Sequence, residues 1–190
     1  SAMLALRDYL NTQGQYCCVY MNVERAQTAR NDIESGMTAI IEVLKKEITA
    51  LNQYEEAIEK SFQAAHSVSH LSKFDAFLST FCAHIKKPLV LIIDEIDALV
   101  GDTLISVLRQ LRSGYPDRPE RFPQTVILCG VRDVRDYRMF SAHDPNQLDG
   151  GSAFNIKSES IRLGDFSKDD IRQLYMQHTE STGQKYSDDI

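Results

Sequence analysis

Two adjacent acids, Asp94 and Glu95, follow the unbroken apolar run LVLII at residues 89–93, within the segment KKPLVLIIDEIDALVGD. An apolar run without alternation reads as a strand covered on both faces. In an open parallel sheet, ligands gather at the carboxyl ends of the strands. A carboxylate placed there, Asp94, can hold Mg2+, usually through a water, beside the phosphates of a nucleotide. Its neighbour Glu95 can orient or deprotonate an attacking water. Asp97, a little further on, reads as the beginning of the turn into the next helix. The plainer alternative is a buried strand that ends in two solvated acids.

Such a pair needs a loop to cradle the phosphates. The pattern G-x-x-x-x-G-K-[ST] serves because its glycines let backbone N–H groups converge on phosphate oxygens, while its lysine reaches the terminal phosphates. The nine glycines stand at 14, 36, 101, 114, 130, 150, 151, 164 and 183, and none is followed by lysine. The cradle is absent from this stretch of sequence.

Other groups that could do chemistry are weaker. His66 and His70, in HSVSH, have a spacing that lets two imidazoles share a metal on a helix, but no nearby acid or cysteine completes a site. His84 and His143 have no partners. Arg132, Arg135 and Arg138, in VRDVRDYR, include a possible arginine finger for a neighbouring active site. Exchanging ion pairs with Asp133 and Asp136 are the simpler reading. No serine stands with a histidine and an acid in a nucleophile arrangement. The four cysteines, Cys17, Cys18, Cys82 and Cys129, form no C-x-x-C pair and sit in apolar segments, as reduced buried thiols do. Adjacent Cys17 and Cys18 point to opposite faces of a strand.

The elements that must position these residues alternate between helix and strand. Ser1-Ala2 read as the remnant of a cleaved tag. Met3 to Thr12 is a helix ending near Gly14, and Gln15 to Glu24 a short buried strand. Asn31 or Asp32 caps a long helix whose inward face is Met37, Ile40, Ile41, Leu44, Ile48 and Leu51. Tyr54 to Ser69 is helical in part. Leu71, Phe74, Phe77, Leu78, Phe81, Cys82 and Ile85 make a second helical stripe, stopped by Pro88. After the strand 89–93, Asp102 is expected to cap a helix facing inward through Leu104, Ile105, Leu108 and Leu111. Gly114 to Pro123 is a loop rich in proline and charge, and TVILC at 125–129 a second fully apolar strand. Residues 139–153 show little pattern and read as a long connection. Ala153 to Leu163 is expected as a last strand. Ser167-x-x-Asp170 is a capping signature for a helix through Ile171, Leu174, Tyr175 and His178. Alternation of this kind builds a parallel sheet with helices on both faces.

Composition narrows the classes. With 190 residues, 43% hydrophobic and 25% charged, the chain can bury a real core. A net charge of -6 and a pI near 5.4 oppose a general grip on nucleic acid, although a local basic patch would survive that average. No apolar run approaches the roughly 20 residues of a membrane helix and no secretory signal is legible, so a cytoplasmic location is expected.

Leu89 to Val100, LVLIIDEIDALV, has the form of a Walker B motif and resembles that segment of AAA-related ATPases, including the STAND signalling ATPases and the origin-recognition initiators. Those families follow it with a helix and a second apolar strand bearing a polar sensor residue at its tip. Here TVILC ends in Gly130-Val131-Arg132-Asp133, without the usual Asn, Ser or Thr, so the resemblance leaves the sensing place to Arg132 or Asp133. FNIKSESIRLGDFSKDDIRQLY, from Phe154 to Tyr175, is similar to their last core strand and first lid helix. The similarity runs from Met3 to about Gly183.

The resemblance implies a three-layer αβα parallel sheet of the P-loop NTPase (RecA/AAA-like) type, missing its first strand. The core would cover 3–165 and the beginning of a helical lid 166–190. It implies ATP and Mg2+ as cofactors of the intact protein, with Asp94 at the metal, Glu95 catalytic, and Arg132 and Asp133 against the nucleotide. MLALRDYLNTQG looks like the body of the helix that follows the phosphate loop, which places that loop upstream of residue 3. Two histories fit: an ATPase domain shown without its beginning, or a degenerate relative that keeps the fold as an interaction scaffold. The first makes the chain part of a nucleotide-driven switch whose partners are other protein domains or further copies of itself. The second predicts no nucleotide response at all. A DNA-binding initiator would need a basic winged-helix domain that this acidic sequence lacks.

Overall fold

A computed structural model describes residues 2–131, 138–141, 144–149 and 159–186, with 138–141 and 144–149 as backbone only. Three parallel strands form its sheet, in the order β1 (Cys17–Asn22), β2 (Leu89–Asp94), β3 (Thr125–Leu128). The register sets Asn22 opposite Asp94 on one side of β2 and Leu128 opposite Ile93 on the other. Because side chains alternate across a strand, Cys17, Val19 and Met21 join Leu89, Leu91 and Ile93 on one face. Cys18, Val90 and Ile92 take the opposite face. The adjacent cysteines therefore belong to different halves of the core, and all four thiols are free.

The helices are α1 (Ala2–Gln13), α2 (Ile33–Thr49), α3 (Glu55–His66), α4 (Lys73–His84) and α5 (Gly101–Ser113). The first sheet face is buried in one large cluster with α2, α4 and α5, and α3 packs on α4. In α2 the residues Met37, Ile40, Ile41, Leu44 and Ile48 are all buried, as their three- and four-residue steps require. Asp32 caps this helix, accepting the Ser35 N–H. In α4 the rings of Phe74, Phe77 and Phe81 are fully buried, each worth about 1.5–3 kcal/mol of transfer from water. Leu71 precedes that helix and is 56% exposed, so it lies outside the stripe the spacing assigns it to. The second sheet face carries α1 through Met3, Leu6 and Leu10, all only partly buried.

Four sequence expectations fail. Asp102 does not cap α5: it is buried in the first turn, and Val100 is the cap position. The orphan N–H groups of that turn find acceptors in another loop instead, Asp102 N–H donating to Asn31 Oδ1 and Thr103 N–H to the Arg30 carbonyl. The apolar strand at 125–128 is not enclosed on both faces. It pairs only with β2 among the described residues, so its side chains are partly exposed. Residues 138–149 are not a plain connection, because Arg138–Ser141 (β4) and Asp144–Asp149 (β5) pair antiparallel in a second sheet. Finally, of the strand expected at 153–163, residues 153–158 lie outside the described residues and 159–163 is not strand: Ile161 and Leu163 are 75% and 74% exposed, with no described strand to pair with.

The chain divides into two compact units, Ser1–Lys157 and Ser158–Ile190. The second contains α6 (Lys168–Thr182), where Ser167 and Asp170 form the reciprocal capping box read from the sequence and Gly183 closes the helix at φ 77°. Ile171, Leu174 and Tyr175 lie on it 37–49% exposed.

Candidate functional site

Asp94 is the last residue of β2 and half-buried, on the sheet face that α1 covers. Both of its oxygens are engaged by neutral donors. The Tyr20 hydroxyl on β1 donates to Oδ2 at 2.5 Å, and the Glu95 N–H donates to Oδ1 at 3.1 Å. The phenol reaches diagonally, since Tyr20 is opposite Ile92 in the register and Asn22 is opposite Asp94. Burial, then the hydrogen bond to Asp94 and its charge, push the Tyr20 hydroxyl up to about 12. Burial and the same carboxylate raise the Cys129 thiol, whose residue packs on this face from the end of β3. Among the described residues no lysine or arginine pairs with Asp94.

Glu95 turns the chain out of the strand. It adopts a left-handed conformation at φ 58°, ψ 39°, and its side chain is exposed. A non-glycine residue there costs of order 1 kcal/mol and needs surrounding structure to hold it. That support is visible: Val23 N–H donates to the Asp94 carbonyl on one flank, and Ile96 N–H to the Cys129 carbonyl on the other.

Asp97 does more than begin a turn. It lies in the short 3-10 segment Ile96–Ala98, and its Oδ2 accepts the Val131 N–H at 3.4 Å, tying the end of β2 to the tip of β3. Its Oδ1 is buried with no hydrogen-bond partner among the described residues. A Cβ on Gly130 would stand 2.8 Å from that oxygen, so glycine is what lets the β3 tip close over the carboxylate. Composition carried no sign of this role.

α1 covers the sheet face that bears Asp94. Near its carboxyl end, Asn11 is pinned to Cys18, with Nδ2 donating to the Cys18 carbonyl at 2.8 Å and Oδ1 accepting the Cys18 N–H at 2.9 Å. This amide occupies the outer edge of β1 as a neighbouring strand would. From there the helix runs back over Cys18, Val90 and Ile92. Met3, in the first turn of α1, packs against that cluster, on the sheet face that bears Asp94.

Of the residues singled out from sequence, Asp94 and Glu95 are brought to the carboxyl end of the sheet together. Arg132 and Asp133 lie outside the described residues. His66 directs Nδ1 to its own helix, at the Phe62 carbonyl. Among the described residues no three His, Cys, Asp or Glu side chains are grouped to hold a metal ion. A cavity of about 480 Å3 opens at the outer edge of β1, with Tyr20, Asn22, Arg25, Val43 and Lys46 in its walls, and neither Asp94 nor Glu95 lines it. No described helix is long and apolar enough to cross a membrane. Fold and site define a mixed α/β protein with a three-stranded parallel sheet and an acidic pair at its carboxyl end. No protein-family model, curated protein or solved structure matches the chain.

Proposed function

We propose that this chain carries the acidic half of an ATPase site of the P-loop type, AAA- or STAND-like, in which Asp94 holds Mg2+ through water and Glu95 works on the attacking water. The observation that carries the reading is the place of Asp94, at the carboxyl end of the central strand of a parallel sheet, with Glu95 directly after it at the turn out of the strand.

The residues present fit a nucleotide-bound Mg2+ and not a free-standing ion. Asp94 keeps unused lone pairs on both oxygens after accepting from Tyr20 and Glu95, while among the described residues no cluster around it would complete a coordination shell. Bound Mg2+ would offset charge on the phosphates. Asp94 would help to hold that ion, and the exposed Glu95 side chain would be placed to take a proton from water. The phosphate cradle must come from elsewhere. Without it the chain forgoes several charge-assisted hydrogen bonds, each on the order of 1.5–3 kcal/mol, so ATP binding by this polypeptide alone is weak or undetectable. Partners in this reading are other protein domains or further copies of the chain, not nucleic acid.

The test is ATP turnover by a polypeptide extended with whatever the coding sequence encodes in frame before Met3. Glu95→Gln is expected to lower turnover by at least 100-fold, the low end for loss of a general base. Unchanged turnover in that variant would remove Glu95 from the chemistry. A second reading, an interaction scaffold on the same fold, draws on the fact that none of the nine glycines precedes a lysine. It expects neither binding nor turnover from the extended protein.

A further inference from the structure

We infer that Tyr20 is a positioning residue for Asp94, fixing the carboxylate in the one orientation from which it can serve a cation at the carboxyl end of the sheet. This rests on the reading of Asp94 as the metal-side residue, and it deepens that reading by assigning a role to a residue on a different strand.

The geometry is specific. Asp94 sits at the end of its strand, where no further β2 residue holds its side chain, and its half-buried carboxylate has no cationic partner among the described residues. An aspartate so placed is free to choose among three χ1 wells. Two donors remove that freedom. The Glu95 N–H holds Oδ1 from the same turn, and the Tyr20 hydroxyl holds Oδ2 from across the sheet. The first is a local contact at 3.1 Å from the backbone of the next residue. The second, at 2.5 Å, comes from a separate strand and anchors the other oxygen, so that without it the carboxylate is held at one oxygen only.

Tyr20 is itself fixed. Its backbone lies in β1, in register with Ile92, and its ring packs on the cluster of Cys18, Val90 and Ile92. A diagonal reach from Ile92's neighbour to Asp94 needs a long, rigid side chain with a terminal donor. Tyrosine supplies all three properties, and serine, threonine or asparagine at position 20 would fall short. Because the donor is neutral, the carboxylate keeps its full charge for a cation, which a lysine or arginine in the same place would cancel. A short O–H···O contact to a carboxylate is among the stronger hydrogen bonds available to a side chain.

The test uses the whole chain, isotopically labelled, as wild type and Tyr20→Phe. Phenylalanine keeps the packed ring and removes only the hydroxyl. NMR reads the three-bond couplings that report Asp94 χ1. Wild type is expected to show a single Asp94 rotamer, and Tyr20→Phe to average the couplings over several wells. An averaged Asp94 in wild type overturns the inference by itself, and so does an unaltered rotamer in Tyr20→Phe. The reading of Asp94 as the metal-side residue is judged separately, by ATP turnover of Asp94→Asn in the extended polypeptide: unchanged turnover there overturns that reading, while the rotamer couplings still judge Tyr20.

Discussion

Replacing Gln110 with leucine should cost the protein about 2–4 kcal/mol, and the structure shows where that comes from. Gln110 lies in α5, only 4% exposed, and its Oε1 accepts two backbone N–H groups at the start of α4, from Phe74 at 2.9 Å and Asp75 at 3.1 Å. Its Nε2 donates to Ser106 Oγ at 3.0 Å and lies 3.4 Å from Met37 Sδ. The residue at the cap position of α4, Ser72, makes no capping hydrogen bond through its side chain. Gln110 therefore supplies from a separate helix what an N-cap normally supplies locally. Leucine has nearly the same reach and no polar atom, so packing is retained and both N–H groups lose their acceptor. An unsatisfied buried donor costs about 1–3 kcal/mol. Phe74 is fully buried and bears the whole cost, while the half-buried Asp75 recovers part of its loss to water. For a chain of this length each kcal/mol lowers Tm by roughly 2–4 °C, so a fall of about 5–15 °C is expected. Urea unfolding followed by far-ultraviolet circular dichroism gives the free energy directly, with the midpoint lowered and the slope unchanged. A loss below about 0.5 kcal/mol would mean that water or rearrangement satisfies those amides, and the tertiary cap would be an idle contact.

Two further outcomes follow from other contacts. Gly130→Ala should destabilise the protein by about 1–3 kcal/mol through overpacking, since the new Cβ would stand 2.8 Å from Asp97 Oδ1 and 3.1 Å from Ile96 Cγ2. Thermal unfolding of Gly130→Ala, of Asp97→Ala and of the double variant checks the cause, because the two changes should be less costly together than their sum. The capping box of α6 gives a pH dependence of defined sign. The Ser167 hydroxyl, then the Ser167 N–H, hold the Asp170 carboxyl below the usual aspartate range. Its contribution to α6 is thus present above the ordinary aspartate pKa and is lost as pH falls through the lowered one. Amide exchange protection along 171–182 should drop on acidification in wild type and lose that dependence in Asp170→Asn. A profile shared by both would assign the effect to other groups.

Much of the architecture was written locally. The three- and four-residue steps in α2 and α4, the unalternated run of β2 and the Ser167–Asp170 box each report structure within a few residues of themselves, and each formed where the spacing placed it. Asp94 and Glu95 were legible for the same reason: two acids ending an apolar run need only that strand to define their position. The misreadings share a different physical origin. Asp102 carries the right side chain for a cap and is not one, because the helix already begins at Gly101 and Asn31, 71 positions earlier, accepts the N–H of Asp102 inside its first turn. TVIL has the composition of an enclosed strand, yet its burial depends on whether neighbours arrive on both edges, which no property of the segment specifies.

The same division runs through the candidate site. Sequence determined which side chains stand at the end of β2, because alternation and apolar run length are properties of consecutive residues. Tertiary structure decided what holds them there. Tyr20 meets Asp94 across 74 positions, and Asp97 meets Val131 across 34. Those partners exist only once strand order and register are set by packing of the whole core, and a one-residue slip of β1 against β2 would turn the Tyr20 side chain away from the face of Asp94.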